Sequence, residues 1–348
     1  MGHGLNQGLA SNGVPRIERI TPTAAIAGGE ITIHGGGFGS ANHMRARVSF
    51  GEAEASVLFQ AERFLIARVP ESGSGTVRVI TSVGESQASP VSLGRQIADN
   101  LHPVASPAVD HEGNIYVTFS GQRGRRVPVS LYKVTSNFTV KPYVTQLINP
   151  SGLALDRDGT LYVSCRHDGT IHRVTPDGRA ELWIEGMGIA TGLAFDHEGN
   201  LYVGDRSGTI FKIGPEREIF VFATLEPSMA AYHLAFSVAD ELYVTGPTTS
   251  SFDRVYRINP AGEVSTFFRG LGRPQGLAFD RQGNLYVAAS LGGQRGIVRL
   301  TPQAEPELVV SGSNIVGLAL LPSRRAMITT NNALYSLDWD VQGLPLNG

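Results

Sequence analysis

The sequence has a single cysteine, no long apolar run and no strong excess of either charge. Because Cys165 stands alone among 348 residues, an intramolecular disulfide framework and zinc sites built from several cysteines are excluded. No segment is long and apolar enough to span a bilayer, so we expect no membrane insertion. The formal net charge of −2 is too small to indicate a class of partner.

Common catalytic motifs are missing as well. The chain contains no G-x-S-x-G, H-E-x-x-H or C-x-x-C sequence. His167 follows Cys165 by two residues, which suggests a nucleophile and its base. Residues two apart where a strand meets a loop often diverge, however, so we expect Cys165 to be buried and unreactive.

What the sequence does contain is a repeat with a period of about forty residues. The segments GLALDRDGTLYV, GLAFDHEGNLYV and GLAFDRQGNLYV begin at Gly152, Gly192 and Gly276. Looser copies begin at Pro107 and His233, and a degenerate sixth follows near residue 317. Each copy is two apolar runs around a turn, which indicates a β-hairpin, and two further β-rich runs follow it. Six such units predict a six-bladed β-propeller over residues 94–340.

Three details of the propeller follow from the repeat. The sixth unit ends before a fourth strand, so we expect Gly94–Ala98 to supply it and close the ring. The aspartates that recur in the hairpins should cap turns, because one catalytic site would not need a copy in each unit. The recurring tyrosines should pack between blades.

The rest of the chain is an N-terminal domain and two tails. Residues 15–93 contain about seven short alternating runs between turn residues, which predicts an immunoglobulin-like β-sandwich and an all-β protein. Residues 1–14 have no apolar core of a signal peptide, so we expect a disordered tail and a cytoplasmic protein; export with a partner stays open. Residues 341–348 are predicted to be a C-terminal tail.

Both domains resemble known families. GGEITIHGGGFG at 28–39, SFG at 49–51 and VPES at 69–72 resemble an IPT/TIG immunoglobulin-like domain, although Ala24-Ala25 departs from its usual glycine. The segments Asn149–Asp156 and Arg273–Asp280, with the G-N-L-Y-V motif, resemble NHL-repeat propellers and the related gluconolactonase-like group. The second resemblance implies the fold strongly and an activity weakly.

The gluconolactonase-like resemblance implies a divalent metal held by a Glu, an Asn and an Asp. The positions before the inner strands are Ser106, Ser151, Thr191, Tyr232, Gln275 and Val316, none of them Asn. After the second strands only Asp205 matches. One carboxylate is a poor site for a hard cation, so we expect no metal and no cofactor. A metal-dependent lactone hydrolase stays an alternative.

Loop charges give the best indication of function. In a blade, the segments before the inner strand and after the second strand lie on one face, where eight arginines accompany Asp168, Asp205 and Asp253. The hairpins on the opposite face are rich in acids. The candidate binding residues of the basic face and its funnel are Arg123, Arg125, Arg126, Arg166, His167, Asp205, Arg206, Tyr232, His233, Arg254, Arg273 and Arg295.

We therefore predict a non-catalytic binding or scaffolding protein, a subunit or accessory of a larger complex. Its basic face would dock an acidic protein partner or an anionic small ligand, because arginine forks suit both. A second alternative is single-stranded RNA binding. Nucleic acid is the less favoured partner, since only Phe119, Tyr232 and Phe252 offer stacking platforms.

Overall fold

The computed structural model describes residues 13–39 and 45–346. These residues form strands and turns without any helix, so the predicted all-β class is confirmed, and none of them forms a helix that could span a membrane. The chain divides into two compact units. The first unit comprises the chain up to Gly94 together with Val309–Ser313. The second comprises Arg95–Leu308 and the chain from Asn314 onward. Residues 1–12 of the predicted tail lie outside the described residues.

The N-terminal unit contains ten short strands. They are β1 Arg16–Thr21, β2 Ala24–Ala25, β3 Glu30–Gly36, β4 Arg47–Phe50, β5 Ala53–Gln60, β6 Phe64–Arg68, β7 Thr76–Thr81, β8 Gly84–Glu85, β9 Ser89–Pro90 and β10 Ser92–Leu93. Strand β5 connects the two halves of this unit. Its first residues pair with β4 and the rest with β6, with an irregularity between Val57 and Phe59. The two halves are therefore one continuous eight-stranded sheet around a single core that includes Ile33, Phe50 and Leu65.

The second unit contains the repeats. Its first strand is β11 Arg95–Ala98. The first repeat has β12 Ala108–Val109, β13 Ile115–Thr118, β14 Leu131–Val134 and β15 Val140–Val144. The second has β16 Pro150–Leu155, β17 Leu161–Cys165, β18 Thr170–Val174 and β19 Ala180–Ile184. The third has β20 Ala190–Phe195, β21 Leu201–Asp205, β22 Thr209–Ile213 and β23 Ile219–Thr224.

The last three repeats follow the same order. The fourth has β24 His233–Phe236, β25 Leu242–Thr245, β26 Asp253–Ile258 and β27 Val264–Leu271. The fifth has β28 Leu277–Phe279, β29 Leu285–Leu291, β30 Gln294–Leu300 and β31 Pro306–Ser311. The sixth has β32 Ile315–Leu321, β33 Arg325–Thr330 and β34 Leu334–Asp338.

The number of separate blades differs from the prediction. The structure shows five four-stranded sheets rather than six. The strands of the fifth repeat do not form a sheet of their own, because the end of β31 belongs to the N-terminal unit. There Val310 and Ser311 pair with Ala24 and Ala25. This pairing extends the sheet of the fifth repeat with β2 and β10. The repeat pattern gives no indication of it.

The predicted ring closure is confirmed. Strand β11 pairs antiparallel with β34, so that Arg95 lies opposite Ser336 and Gln96 opposite Tyr335. The sixth repeat thus obtains its fourth strand from the start of the unit. Thr329 also donates a hydrogen bond of 2.9 Å to the carbonyl of Ala105, which joins the sixth repeat to the first.

The aspartates and tyrosines of the hairpins act as predicted. The Asp196 carboxylate accepts a hydrogen bond of 2.8 Å from the Asn200 backbone N–H and one of 2.7 Å from the Asn200 side-chain amide. These two bonds fix the turn. The ring of Tyr202 lies against Phe236 of the next repeat, with centroids 4.9 Å apart. In the first and fifth repeats the tyrosine hydroxyl also donates to the capping aspartate, a contact that the sequence did not predict.

Inner strands approach one another most closely at the glycine of each Gly-Leu-Ala motif. A Cβ atom on Gly192 would lie 2.5 Å from the carbonyl oxygen of Tyr232, and one on Gly152 would lie 2.2 Å from that of Thr191. These oxygens belong to backbone and cannot rotate away. Only a glycine allows neighbouring repeats to pack at this distance.

We expect Gly192→Ala to lower the free energy of unfolding of the propeller by about 3 kcal/mol, because the new methyl group overpacks a rigid contact. Urea unfolding followed by tryptophan fluorescence measures this, since Trp183 and Trp339 both lie in the second unit. The control is Gly199→Ala. Its Cβ meets nothing within 4 Å, so only the strain of a left-handed backbone, about 1 kcal/mol, is added. Equal losses in the two variants would contradict the packing argument.

Candidate functional site

The loop face consists of the segments that precede the inner strands and follow the second strands of the repeats. The register brings these ends together: Pro150 pairs with Cys165, Ala190 with Asp205, and His233 with Thr245. Residues that follow the second strands therefore lie beside the segments that lead into the inner strands. Some of the predicted binding residues are buried beneath this face, three arginines lie in neighbouring loops, and the others lie elsewhere on the face.

Asp205 is a structural residue of the loop face. It is 5% exposed, and one carboxylate oxygen accepts the N–H of Ile189 at 2.8 Å and that of Ser207 at 3.2 Å. The Ser207 hydroxyl donates to the other oxygen. Both Asp205 oxygens therefore accept hydrogen bonds, and these bonds hold the loops that contain Ile189 and Ser207. The implied lactonase metal would need Asp205 as a ligand, and both of its oxygens already accept hydrogen bonds from the protein, so the metal does not fit these residues.

Tyr232 and His233 also lie in the interior. Tyr232 is 1% exposed, its N–H donates to the Thr191 hydroxyl at 3.0 Å, and its own hydroxyl donates to the carbonyl of Glu226. Burial raises the pKa of Tyr232 and lowers the pKa of His233 to about 4. Both residues support the loop face from beneath and do not form its surface.

Cys165 is buried, as the sequence predicts. Burial raises the pKa of its thiol to about 12, and the charge of Asp168 acts in the same direction. The thiolate needed for nucleophilic attack is therefore strongly disfavoured. His167, by contrast, is exposed on the adjoining loop.

Arg166 and Arg206 occupy the same position in successive repeats, directly after the second strand. Their backbone N–H groups donate equivalent hydrogen bonds of 3.2 Å, to the carbonyls of Asn149 and Ile189. Both side chains are half-buried. The Arg166 guanidinium donates to the Ser120 hydroxyl at 3.1 Å, and that of Arg206 donates to the Ser228 carbonyl at 3.1 Å.

Asn149 brings a third arginine to this place. Its side chain is fully buried and accepts the N–H of Gly124 at 2.7 Å while donating to the carbonyls of Gly121 and Gln122 at 2.9 and 3.1 Å. The loop that carries Arg123 is thereby fixed beside Arg166. Sequence reasoning missed this role. Asn149 directly precedes the Pro-x-Gly motif of the second repeat, and its φ of 51° is a conformation that asparagine adopts readily.

Arg123, Arg166 and Arg206 are hereafter the arginine cluster. Burial lowers the pKa of Arg166, and the positive charges of Arg206 and Arg123 lower it further. Within the described residues, none of the three has a carboxylate oxygen within 4 Å. The charges of Arg123 and Arg206 thus both act on Arg166, and no ion pair within the described residues neutralises any of the three, so a bound anion would stabilise them.

The other predicted arginines stand apart from the cluster in their contacts. Arg125 and Arg126 are exposed on the Arg123 loop, where Gly124 lies against the His167 ring. Arg254 forms an ion pair with Glu226 at 3.9 Å. Arg273 and Arg295 are exposed beside the fifth repeat and make no hydrogen bond or ion pair with the cluster in the described chain.

The carboxylates counted on this face are less available than the sequence suggests. Asp253, like Asp205, is buried, and one of its oxygens accepts the N–H of Thr248 at 2.9 Å. Asp168 is exposed. Two glutamates on the connecting segments, Glu185 and Glu226, escaped the count, and Glu226 is the partner of Arg254. Arg254 is thus the one arginine among the predicted binding residues with an ion pair in the described part of the chain.

Comparison with known proteins agrees with the two-part chain. Residues 15–94 match the IPT/TIG domain family. The N-terminal part of the chain is thus similar to a TIG domain, and the repeats have the fold of β-propeller proteins. No curated protein matches the chain significantly.

Solved structures similar to this chain have varied descriptions. One is an auxiliary nutrient binding protein from Bacteroides thetaiotaomicron, with a TM-score of 0.55, 12% identity, and coverage of 94% of this chain and 98% of that one. Another is described as a gluconolactonase, with a TM-score of 0.59, 18% identity, and coverage of 73% and 94%. A third is virginiamycin B lyase from Staphylococcus aureus, with a TM-score of 0.51, 15% identity, and coverage of 81% and 93%. At these identities the likeness shows the fold alone.

The stability of the protein should depend on pH through His233, and this dependence tests whether the His233 side chain is buried. Its pKa is about 4 in the folded protein and near 6.5 when unfolded, so the unfolded chain binds the extra proton between those values. Stability should fall as pH drops from about 6.5 to 4, by about 3 kcal/mol from this residue. The measurement is urea unfolding across this range for the wild type and His233→Gln, in which the contribution should vanish. An NMR titration showing an ordinary pKa for this imidazole would contradict the assignment, even if the variant did not fold.

Proposed function

We propose that this chain is a non-catalytic binding protein whose loop face binds an anionic group at the arginine cluster. An anionic small ligand or an acidic segment of a partner protein would present the same chemistry. The observation that carries the proposal is that the Arg123 loop and Arg166 are both held by Asn149, that the charges of Arg123 and Arg206 act on Arg166, and that none of the three has a carboxylate oxygen within 4 Å in the described residues. Guanidinium forks bind carboxylates and phosphates through paired hydrogen bonds, which makes such a cluster a suitable receptor.

The two alternative functions have less support. The lactone hydrolase needs a metal, and the only matching carboxylate, Asp205, is used to hold loops. Stacking of RNA bases needs exposed aromatic rings. Tyr232 is buried, and Phe119 packs between His102 and Tyr132. Among the three predicted platforms, Phe252 is the exposed one.

Structures with a similar fold are described as a nutrient binding protein, a gluconolactonase and a lyase, so the fold does not decide between binding and catalysis. The arginine cluster supplies the specific chemistry. Association with an acidic partner would place the chain in a larger complex, and a cytoplasmic location stays part of this proposal.

We expect a dye-labelled polyglutamate peptide to bind the wild-type protein and the double variant Arg166→Gln/Arg206→Gln to bind it at least about tenfold more weakly, because two charge-assisted contacts are lost. Fluorescence anisotropy measures both affinities. Wild-type binding should also weaken as salt rises, the Debye length being about 8 Å near 0.15 M.

The matched control is Arg157→Gln/Arg281→Gln. Both arginines are exposed on the hairpin side of the propeller, so the same net charge is removed away from the loop face. A neutral polyglutamine peptide controls for sequence-independent binding. If the control variant loses binding and the loop-face variant keeps it, the proposed function is wrong.

A further inference from the structure

We infer that a second site on the loop face binds the zwitterionic group of a free α-amino acid. The site is a cavity of about 110 Å³ in the fourth repeat, beside the loop that joins β25 to β26. It contains no residue of the arginine cluster, so the inference goes beyond the proposed function and does not rest on it. The residues of its lining that carry the argument are Glu226, Thr248, Phe252, Asp253, Arg254 and Arg269.

The Asp253 carboxylate has one oxygen without a hydrogen bond. Asp253 is 2% exposed, and its Oδ1 atom accepts the Thr248 N–H at 2.9 Å and the Thr248 hydroxyl at 2.7 Å. The Oδ2 atom is buried and has no hydrogen-bond partner among the described residues. An unpaired carboxylate oxygen is costly to bury, and a donor that enters the cavity beside it would remove that cost. The ligand should therefore donate hydrogen bonds, as an ammonium group does.

Two arginines of the lining lie opposite each other across the sheet. Arg254 on β26 is the register partner of Arg269 on β27 in the antiparallel pair. Like charges at such positions repel, because their Cβ atoms are about 5 Å apart. Arg254 forms an ion pair of 3.9 Å with Glu226, whereas Arg269 forms none in the described part of the chain. A carboxylate held by both guanidiniums would relieve the repulsion and accept charge-assisted hydrogen bonds.

The charges of the lining favour a ligand that carries both signs. Two acidic residues and two arginines line one small cavity. The arginines would repel a metal ion or a simple amine, and the acids would repel a simple carboxylate. An ammonium and a carboxylate on one carbon atom present both charges within a short distance. Because a water molecule takes about 30 Å³ of the liquid, the cavity admits such a group and little more. The matching class of ligand is an α-amino acid.

The loop beside the cavity is held in place and carries an exposed aromatic ring. The Thr248 hydroxyl oxygen accepts the Ser250 N–H at 3.1 Å, and the Ser250 hydroxyl oxygen accepts the Phe252 N–H at 3.1 Å. A loop that is already ordered loses less freedom when a ligand binds. Phe252 is 64% exposed although it lines the cavity, so its ring offers an apolar surface to the side chain of the ligand. An aliphatic side chain suits this surface.

The test compares L-valine with two analogues, each of which lacks one of the two charges. L-Valinamide has no carboxylate, and 3-methylbutanoate has no ammonium group. Isothermal titration is carried out at about pH 6.5, below the pKa of an α-amino group, so that the amines are protonated. L-Valine should bind at least about tenfold more tightly than either analogue, because each missing charge removes charge-assisted hydrogen bonds.

Two variants test the two halves of the site separately. Arg269→Gln should largely remove the preference for L-valine over L-valinamide, and Asp253→Asn should largely remove the preference over 3-methylbutanoate. Arg269 is exposed, so the first variant still decides the matter if the second does not fold. The matched control is Arg257→Gln, which changes an exposed arginine of the same strand outside the cavity lining and should bind like the wild type. Circular dichroism and the melting temperature verify that each variant is folded.

Failure of the inference and failure of the proposed function are distinguishable. Equal affinity for the three compounds, or no binding of L-valine, would overturn the amino-acid site, since water alone would then fill the cavity. Loss of L-valine binding in the Arg166→Gln/Arg206→Gln variant would also overturn it, because the ligand would then bind at the arginine cluster. Absence of polyglutamate binding with L-valine binding retained would overturn the proposed function and leave the amino-acid site intact.

Discussion

The propeller depends on a contact between bare backbones. At Gly152, Gly192 and Gly317 a Cβ atom would lie within 2.5 Å of backbone atoms of the next repeat. Because these positions carry no side chain, consecutive inner strands converge and their loops meet at one end. The aromatic contacts between repeats, such as Tyr202 with Phe236, fill the wider spaces away from this contact. Hydrogen bonds such as that from Thr329 to Ala105 then join the last repeat to the first.

Convergence of the repeats is also what makes the loop face chemically distinctive. Arg166 and Arg206 come from equivalent positions one repeat apart, so the packing that builds the ring brings their charges together. Elsewhere the same position carries Ser120, Pro247 and Ser290, and the cluster is confined to one sector. Function is argued from these residues, because the fold by itself does not specify an activity.

Acidic residues on this face illustrate how a charge count differs from an electrostatic surface. Asp205 is the last residue of β21 and Asp253 the first residue of β26, and both are buried and accept backbone N–H groups. Their burial removes them as partners for arginines at the surface. The Asp205 carboxylate, with both oxygens hydrogen-bonded, stabilises the adjoining loops, and its position in the sequence alone does not reveal this.

The sequence by itself determined the all-β class, the repeat, the capping aspartates and the closing strand, because each depends on local periodicity or on a strand missing from the pattern. Only the tertiary structure decided which loop charges are accessible, since burial depends on contacts between repeats. It also decided the role of Asn149, whose three side-chain hydrogen bonds reach a loop some 25 residues earlier in the chain. The repeat pattern also did not predict that the fifth repeat would share its sheet with strands from the N-terminal part of the chain. Val310 pairs with Ala24, far away in the sequence, because an edge strand with unpaired backbone groups accepts any strand that the fold brings alongside it.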